Sequence, residues 1–208
     1  MLQLMMMLEK KQSRGYVDPD RIESRMNKQI FDTEYHRGVV KGGNWDRLCS
    51  EFRSHPVFVG LRQRFNEGRD WESTNYVRWA QLGIEAVGQR FGYTSTEDFV
   101  ENRCSYIDRL YRSIEENGYV EHQNVGVSDS NTDQQADVSV CIDRDGEYLL
   151  YDGHHRVTIA RLLDVDEIPV NVLVCHDDWR EIIESTPIEQ MDGSTEADQS
   201  HILGEFTE

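Results

Sequence analysis

One stretch in the last third of the chain constrains the fold most, because it predicts two strands, a helix and a third strand in immediate succession. Alternating apolar residues indicate the strands, Asp145-Gly146 is a typical hairpin turn, and Val157, Ala160 and Leu163 lie on one side of a helix. The predicted strands cover residues 138–142, 148–151 and 168–174, and the predicted helix covers residues 157–163. The sequence therefore predicts a protein that contains both sheet and helix.

The pentapeptide Asp152-Gly153-His154-His155-Arg156 joins the second strand to the helix and carries the most informative chemistry. A glycine at a strand-to-helix turn lets the backbone approach a ligand closely. The first amides of a helix are unpaired, and the helix dipole attracts an anion to them. Arg156 adds a forked cation that suits phosphate. The pattern therefore predicts a local site for a phosphate or a carboxylate.

Two interpretations of the pentapeptide stay open. In the functional one, Asp152 holds Mg²⁺ or takes a proton from an attacking hydroxyl, and the histidines transfer protons or bind a metal. Neighbouring helix residues point about 100° apart, so we do not expect His154 and His155 to bind one ion together. In the structural one, Asp152 or a neighbour caps the helix and one histidine packs under the turn.

The middle of the chain predicts a series of helices. Apolar residues three and four apart indicate helices at 45–52, 57–68, 71–91 and 95–118. His55-Pro56 separates the first two, and Gly118 ends the last. Before them, residues 16–22 predict a short strand that leads into a proline turn.

Charge narrows the range of partners. The chain carries 39 acidic and 22 basic residues, and its net charge of −17 disfavours broad electrostatic binding to DNA or to a membrane. Only Lys10, Lys11, Lys28 and Lys41 are lysines, which indicates a halophilic protein, with an acidic protein from ordinary salt as the alternative. No stretch approaches the roughly 20 apolar residues that span a bilayer, so we expect a cytoplasmic protein.

Several other residues have both a functional and a structural interpretation. The cysteines form no C-x-x-C pair, which predicts buried free thiols rather than a zinc or redox site. The segment His176-Asp177-Asp178 is interpreted either as part of a metal site or as a polar loop. Residues 41–46 are interpreted either as a loop that covers a pocket or simply as the start of a helix. The remaining candidates are expected to be structural: Trp45, Trp71 and Trp79 in the core, His55 and His122 in packing, and Arg62, Arg64 and Arg69 on a solvated helix face.

Four short sequence motifs, in this order along the chain, resemble those of the ParB/sulfiredoxin superfamily. They are Ser113-Ile114 with Gly118, Gly146 with Tyr148, Gly153-His154-His155-Arg156, and Ile168-Pro169-Val170. The resemblance implies a helix, a hairpin, a turn that opens a second helix, and a closing strand. Residues 17–22 are similar to the strand that usually opens this fold.

The resemblance implies an α+β fold, namely a small mixed-sheet ParB/sulfiredoxin-like domain with a large helical insertion or N-terminal helical elaboration. The expected boundaries are a flexible N-terminus at 1–15, a first strand at 16–22, the helical elaboration at 23–104, the ParB-like core at 105–178 and an acidic disordered tail at 186–208.

The pentapeptide also selects among the activities of this superfamily. His154 stands where sulfiredoxins have their cysteine, so we do not expect their repair reaction. The acidic end of the chain offers no DNA-binding domain of the partition type, so we expect no DNA partner. Free-serine kinases of this fold carry the phrase D-G-H-H-R, which is present at residues 152–156.

That best match implies a site for ATP or ADP, with CTP as a further option, and for Mg²⁺. In the phosphoryl-transfer hypothesis residues 153–156 bind phosphate, Asp152 is the base or the magnesium ligand, and His155 stabilises charge or shuttles a proton. The resemblance also implies a catalytic glutamate, and Glu23 is the candidate for it by position only.

Three functions stay open from the sequence. The first is phosphoryl transfer from ADP or ATP to a small hydroxyl compound. The second is a non-catalytic regulatory module, in which the nucleotide switches the helical part and that part binds a protein partner. The third is a ParB-like nuclease, which the net charge of −17 disfavours.

Overall fold

The computed structural model describes residues 14–27, 38–119 and 138–185. These residues form one mixed sheet and five helices of nine residues or more, so the predicted α+β class is confirmed. The tail expected at 186–208, His122 and most of the N-terminal segment expected to be flexible lie outside the described residues. Within them, no helix is long and apolar enough to cross a membrane.

The sheet has seven strands in the order β1-β7-β5-β6-β2-β4, and β3 also pairs with β7. The strands are β1 (Arg14–Val17), β2 (Ser24–Met26), β3 (Val39–Lys41), β4 (Cys49–Glu51), β5 (Val138–Ile142), β6 (Tyr148–Asp152) and β7 (Ile168–His176). The predicted hairpin is present, since β5 and β6 are antiparallel and Gly146 in their turn has a left-handed φ of 88°.

Strand β7 is the long central strand, and its sequence explains why. It is apolar along most of its length and buried at all but one position, as expected of a strand with neighbours on both sides. It runs parallel to β5 on one side. On the other side β1 pairs antiparallel with its first half, and β3 pairs parallel with its second half.

The five helices are α1 (Pro56–Phe65), α2 (Asn75–Val87), α3 (Ser105–Asn117), α4 (His154–Leu162) and α5 (Asp177–Ser185). Their ends follow ordinary capping chemistry. The His55 ring and the Thr74 hydroxyl accept backbone amides at the start of α1 and α2, and Gly88 ends α2 with a φ of 81°. A helical turn at Thr96–Asp98 and a π-helical segment at Phe99–Cys104 lead into α3.

The chain divides into two compact units, each with its own apolar core. We call the first the sheet unit (Met1–Phe52, Val138–Asp152 and Asp166–Glu208) and the second the helical unit (Arg53–Asp137 and Gly153–Val165). The core of the sheet unit contains Met26, Trp45, Cys141, Leu149 and Val174. The core of the helical unit contains, among others, Leu61, Tyr76, Phe99, Ile107 and Leu110.

The helix predicted at 45–52 is wrong. The structure has a 3₁₀ turn at Trp45–Arg47 and the strand β4 in its place. Of the four residues that suggested a helix face, only Trp45 and Phe52 are buried, and the Leu48 side chain is 49 % exposed. The spacing therefore did not reflect a buried helical stripe, and pairing with β2 determines the conformation instead.

The sheet also includes residues that the sequence assigned to the helical elaboration. Strands β2, β3 and β4 fall within the range 23–104, so the helical unit starts at Arg53 rather than at residue 23. Each of these strands has three residues, too few for an alternating pattern to be visible. At the other boundary, α3 belongs to the helical unit rather than to the sheet unit, although the predicted core starts at 105.

Three of the four cysteines are buried free thiols, as predicted, and Cys49 is exposed. Burial raises the pKa of Cys141 and of Cys175 to about 12, so both thiols are protonated at neutral pH.

Candidate functional site

The turn that opens α4 requires a glycine. Gly153 occupies the N-cap position with φ 92° and ψ 24°, a left-handed conformation that strains any residue with a Cβ atom. The helix begins at His154, three residues earlier than predicted, and Gly153 rather than Asp152 is the N-cap. A glycine brings no side-chain oxygen to accept the amides of the first turn, which is the usual function of an N-cap residue.

Arg156 lies in that first turn with its charge buried. The residue is 6 % exposed, and its Nη2 atom has no hydrogen-bond partner among the described residues. A buried donor on a charged group costs free energy when it is left unpaired. The positive end of the helix dipole adds to this local excess of positive charge. The amino end of α4 is therefore a position where an anion would be strongly stabilised.

Arg161, in the last turn of the same helix, is also buried, but its guanidinium lies over the Phe58 ring at 5.5 Å. The last turn of a helix attracts cations through its carbonyl groups, so Arg161 is in a favourable field without any ligand.

His155 is held by two side chains of the helical unit. Its Nε2 atom lies 2.8 Å from the Tyr76 hydroxyl, and its Nδ1 atom lies 3.4 Å from Nη2 of Arg103. A guanidinium only donates, so Nδ1 is the acceptor and Nε2 carries the proton that points to Tyr76. Burial, and then the charge of Arg103, hold the pKa of His155 well below its ordinary value. The imidazole is therefore neutral at physiological pH, with both nitrogens engaged.

His154 faces a different neighbour, as the helical geometry predicts. Its ring centroid lies 4.9 Å from that of His55, whereas the ring of His155 lies 5.4 Å from that of Tyr76. The Nδ1 atom of His55 accepts the backbone amide of Val57 at the start of α1, which confirms its predicted structural role.

A second cluster of charged side chains lies in the sheet unit, where Arg144 in the β5–β6 turn meets Asp46 in the 3₁₀ turn. Arg144 donates to both carboxylate oxygens of Asp46, at 2.7 and 2.8 Å, and to the carbonyl oxygen of Gly43 at 2.8 Å. The hydrogen bond from Arg144 holds the pKa of Asp46 below its ordinary value. Asn44 precedes the 3₁₀ turn but makes no capping bond, because its side-chain oxygen accepts from Arg144 instead.

His176, Asp177 and Asp178 form one group of possible metal ligands in the described part of the chain, with ligand atoms within 4.8 Å of one another. Both ring nitrogens of His176 already have partners. Nε2 lies 2.9 Å from the carbonyl oxygen of Gly43, and Nδ1 accepts the backbone amide of Asp178 at 3.1 Å. This geometry favours the polar-loop interpretation, in which His176 closes the end of β7 and starts α5.

No protein-family model, curated protein or solved structure matches this chain. The resemblance to the ParB/sulfiredoxin superfamily therefore rests on the motif residues alone.

The structure brings only some of the predicted site residues to the amino end of α4. Gly153 and Arg156 are placed as the motif requires, Asp152 ends β6, and the carboxylate candidate Glu23 is exposed beside β2. The sequence did not single out Tyr76 and Arg103, the partners of His155. Tyr76 fitted an apolar helix stripe and Arg103 fitted an exposed helix face, and neither pattern signals a polar contact.

Proposed function

We propose that this protein binds a nucleotide through its phosphate groups at the amino end of α4. The observation that carries the proposal is the buried Nη2 atom of Arg156, which has no hydrogen-bond partner among the described residues and lies in the first turn of a helix opened by a left-handed glycine. A phosphate oxygen would supply the missing acceptor, and the helix amides would supply further donors.

The order of elements supports the finer proposal of a ParB/sulfiredoxin-like fold. A hairpin of β5 and β6 is followed by Gly153, helix α4 and the strand β7, which opens with Ile168-Pro169-Val170. This is the order in which the resembling phrases occur in that superfamily.

The sharper form of the proposal is transfer of a phosphoryl group from ATP or ADP to the hydroxyl of a small compound. Asp152, directly before Gly153 in the chain, would accept the hydroxyl proton or contribute one carboxylate to Mg²⁺. A single carboxylate together with phosphate oxygens is a coordination that Mg²⁺ commonly accepts, and the ion would neutralise charge on the phosphates. The residues of α4 would bind and orient the phosphates.

One observation favours the second candidate, a nucleotide-binding module without catalysis. His155 is neutral and both of its nitrogens are engaged by Tyr76 and Arg103. In this arrangement His155 positions side chains of the helical unit rather than moving a proton. Nucleotide at the neighbouring Arg156 would then change the helical unit, which would present the changed surface to a protein partner.

Calorimetry and thermal shift with ATP, ADP, CTP and GTP, each with and without Mg²⁺ in molar KCl, test the proposal. Arg156→Ala should weaken the bound nucleotide by roughly 10- to 100-fold, the usual value of a hydrogen bond to a charged group. The matched control is Arg161→Ala, on the same helix, which should leave the affinity unchanged. Equal affinities for the wild type and Arg156→Ala would overturn the proposal.

Turnover separates the two candidates. A kinase should transfer phosphate to some member of a panel of small hydroxyl compounds, and Asp152→Asn should abolish the transfer while nucleotide still binds. A module without catalysis should bind the same nucleotide and transfer nothing.

A further inference from the structure

The sheet ends on one side at the strand β4. Among the described residues β4 pairs with β2 alone, in the antiparallel register that places Met26 beside Cys49 and Ser24 beside Glu51. The side chains of all three β4 residues are exposed, although successive side chains of a strand point to opposite faces of the sheet. The described residues therefore cover neither face of the sheet at this edge.

The backbone of β4 has hydrogen-bonding groups on its outer side. The carbonyl oxygen of Leu48 and the amide of Phe52 both bond to backbone groups that flank β2. Because the backbone groups of an antiparallel strand alternate between its two sides, the N–H and C=O groups of Cys49 and Glu51 point away from β2. Such an edge is a template on which another strand can pair.

The charges along this edge select the strand that fits it. Arg47 and Glu51 are exposed and lie two residues before and two residues after Cys49. A second copy of the strand, antiparallel and centred on Cys49, therefore places Arg47 of each copy opposite Glu51 of the other. Centring the pair on Ser50 would oppose Arg47 and Arg53, and centring it on Glu51 would oppose two carboxylates. Opposite charges across an antiparallel pair stabilise it, and like charges destabilise it.

We propose that β4 pairs with β4 of a second copy of this chain, antiparallel and centred on Cys49, so that two sheets join across a two-fold axis. Such an interface is isologous, because each copy presents the same surface to the other. The pairing adds backbone hydrogen bonds at Cys49 and two ion pairs between Arg47 and Glu51. It also covers part of the Leu48 side chain, which is 49 % exposed. This inference does not depend on nucleotide binding, so it and the proposed function can fail separately.

The net charge of −17 determines the conditions in which two copies associate. Two acidic molecules repel each other at low ionic strength. The Debye length falls from about 10 Å in 0.1 M salt to about 3 Å in 1 M salt, which screens this repulsion, whereas ion pairs enclosed in an interface are screened much less. We therefore expect the dimer to be more stable in molar KCl than in dilute buffer.

Sedimentation velocity at rising protein concentration, in about 1 M KCl, measures the association. Arg47→Glu opposes carboxylates at both ends of the pair, and Glu51→Arg opposes guanidiniums, so each variant should dimerise about tenfold more weakly than the wild type. An equimolar mixture of the two variants should associate like the wild type, because every opposed pair then has opposite charges. Glu101→Arg, at an exposed position in the helical unit, is the matched control and should not weaken the association.

The exposed thiol of Cys49 gives a second measurement. In a hydrogen-bonded antiparallel pair the two Cα atoms lie about 5.5 Å apart, within the range that a disulfide spans. Diamide accepts the two hydrogens that two thiols release when they form a disulfide, so it should link two copies through Cys49. The other three thiols are buried. Cys49→Ser should therefore abolish the link, and Arg47→Glu should slow its formation.

Glu51→Arg separates the proposed register from a general effect of charge. The substitution lowers the net negative charge, so general repulsion alone would make the variant associate more tightly, whereas the proposed register makes it associate more weakly. A wild type that stays monomeric at every salt and protein concentration overturns the proposal. So does a mixture of Arg47→Glu and Glu51→Arg that fails to associate, or a dimer that neither charge reversal weakens.

Discussion

Arg144 in the sheet unit and Arg156 in the helical unit are in opposite electrostatic situations. Arg144 donates to both oxygens of a buried carboxylate, Asp46, and to a backbone carbonyl. Arg156, in contrast to the half-buried Arg144, is buried, and its Nη2 atom has no acceptor among the described residues. A guanidinium with its acceptors in place contributes to architecture, whereas one buried without them is costly unless something else provides the acceptor.

The histidines repeat this contrast. His176 in the sheet unit bonds to two backbone groups, the carbonyl of Gly43 and the amide of Asp178, and its Nδ1 atom also lies 3.0 Å from a carboxylate oxygen of Asp177. His155 in the helical unit bonds only to side chains in the contacts described above, Tyr76 and Arg103. Backbone partners fix a loop, while side-chain partners can rearrange when a ligand binds. The comparison is consistent with an architectural role for the sheet-unit cluster and with the proposal that a ligand binds at the amino end of α4.

The largest expected effect is the sensitivity of His155 to acid. Its pKa is lowered in the folded state, so below the ordinary value of about 6.5 the unfolded chain binds a proton that the folded chain does not. Stability should therefore fall as the pH drops below that value, by at most about 1.4 kcal/mol for each pH unit. His155→Gln keeps a donor and an acceptor but does not titrate, so its melting temperature should depend less on pH between 7 and 5. Identical pH profiles for the two proteins would contradict this account of His155.

Alanine substitutions at two glycines, one in each unit, test the comparison between the units. Gly146 and Gly153 both have left-handed φ values, of 88° and 92°, so alanine at either position should cost about 1–2 kcal/mol of unfolding free energy. A Cβ atom at Gly146 would also lie 2.6 Å from the Trp179 ring, which adds to its cost. Chemical denaturation should show both losses, but only Gly153→Ala should weaken pyrophosphate binding. A similar loss of pyrophosphate binding in Gly146→Ala would contradict the proposal that the ligand binds at α4.

A further expected effect, of similar size to those of the glycine substitutions, concerns Asp46. Its lowered pKa means that the pair with Arg144 stabilises the fold above a pH of about 4, the ordinary carboxyl value, and that this contribution is lost as the pH falls through the folded-state pKa. Asp46→Asn should lower the melting temperature at pH 7 by on the order of 5 °C. The difference from the wild type should shrink in acid, and nucleotide affinity should not change. A difference that stays constant down to pH 2 would show that the ion pair is not its source.

The sequence predicted the elements that are long or strongly patterned. Helices α1, α2 and α3 have repeated apolar residues, and the hairpin of β5 and β6 has an Asp-Gly turn. Strands β2, β3 and β4 could not be predicted, because three residues carry no period and their conformation depends on pairing with distant strands.

The site was predictable to a similar degree. The chemistry of a strand-to-helix turn singled out Gly153 and Arg156, and the structure places Gly153 at the N-cap of α4 and Arg156 in its first turn. The environment of His155 could not be foreseen, because Tyr76 and Arg103 are 79 and 52 residues away in the chain. Contacts at such separations depend on how the helices pack, which the periodicity of a single helix does not specify.

The most direct measurement compares the melting temperatures of Arg144→Met and Arg156→Met, with and without pyrophosphate. Without ligand, Arg144→Met should be less stable than the wild type because it leaves Asp46 unpaired, whereas Arg156→Met should be as stable or more stable because it removes a buried guanidinium nitrogen that has no acceptor among the described residues. Pyrophosphate at 100 times its wild-type Kd should stabilise the wild type and Arg144→Met by about 2.7 kcal/mol, and Arg156→Met by only about 0.4–1.4 kcal/mol, since a 10- to 100-fold weaker site is far from saturated. If Arg156→Met lost as much stability as Arg144→Met, or kept the full response to pyrophosphate, the central claim would be contradicted.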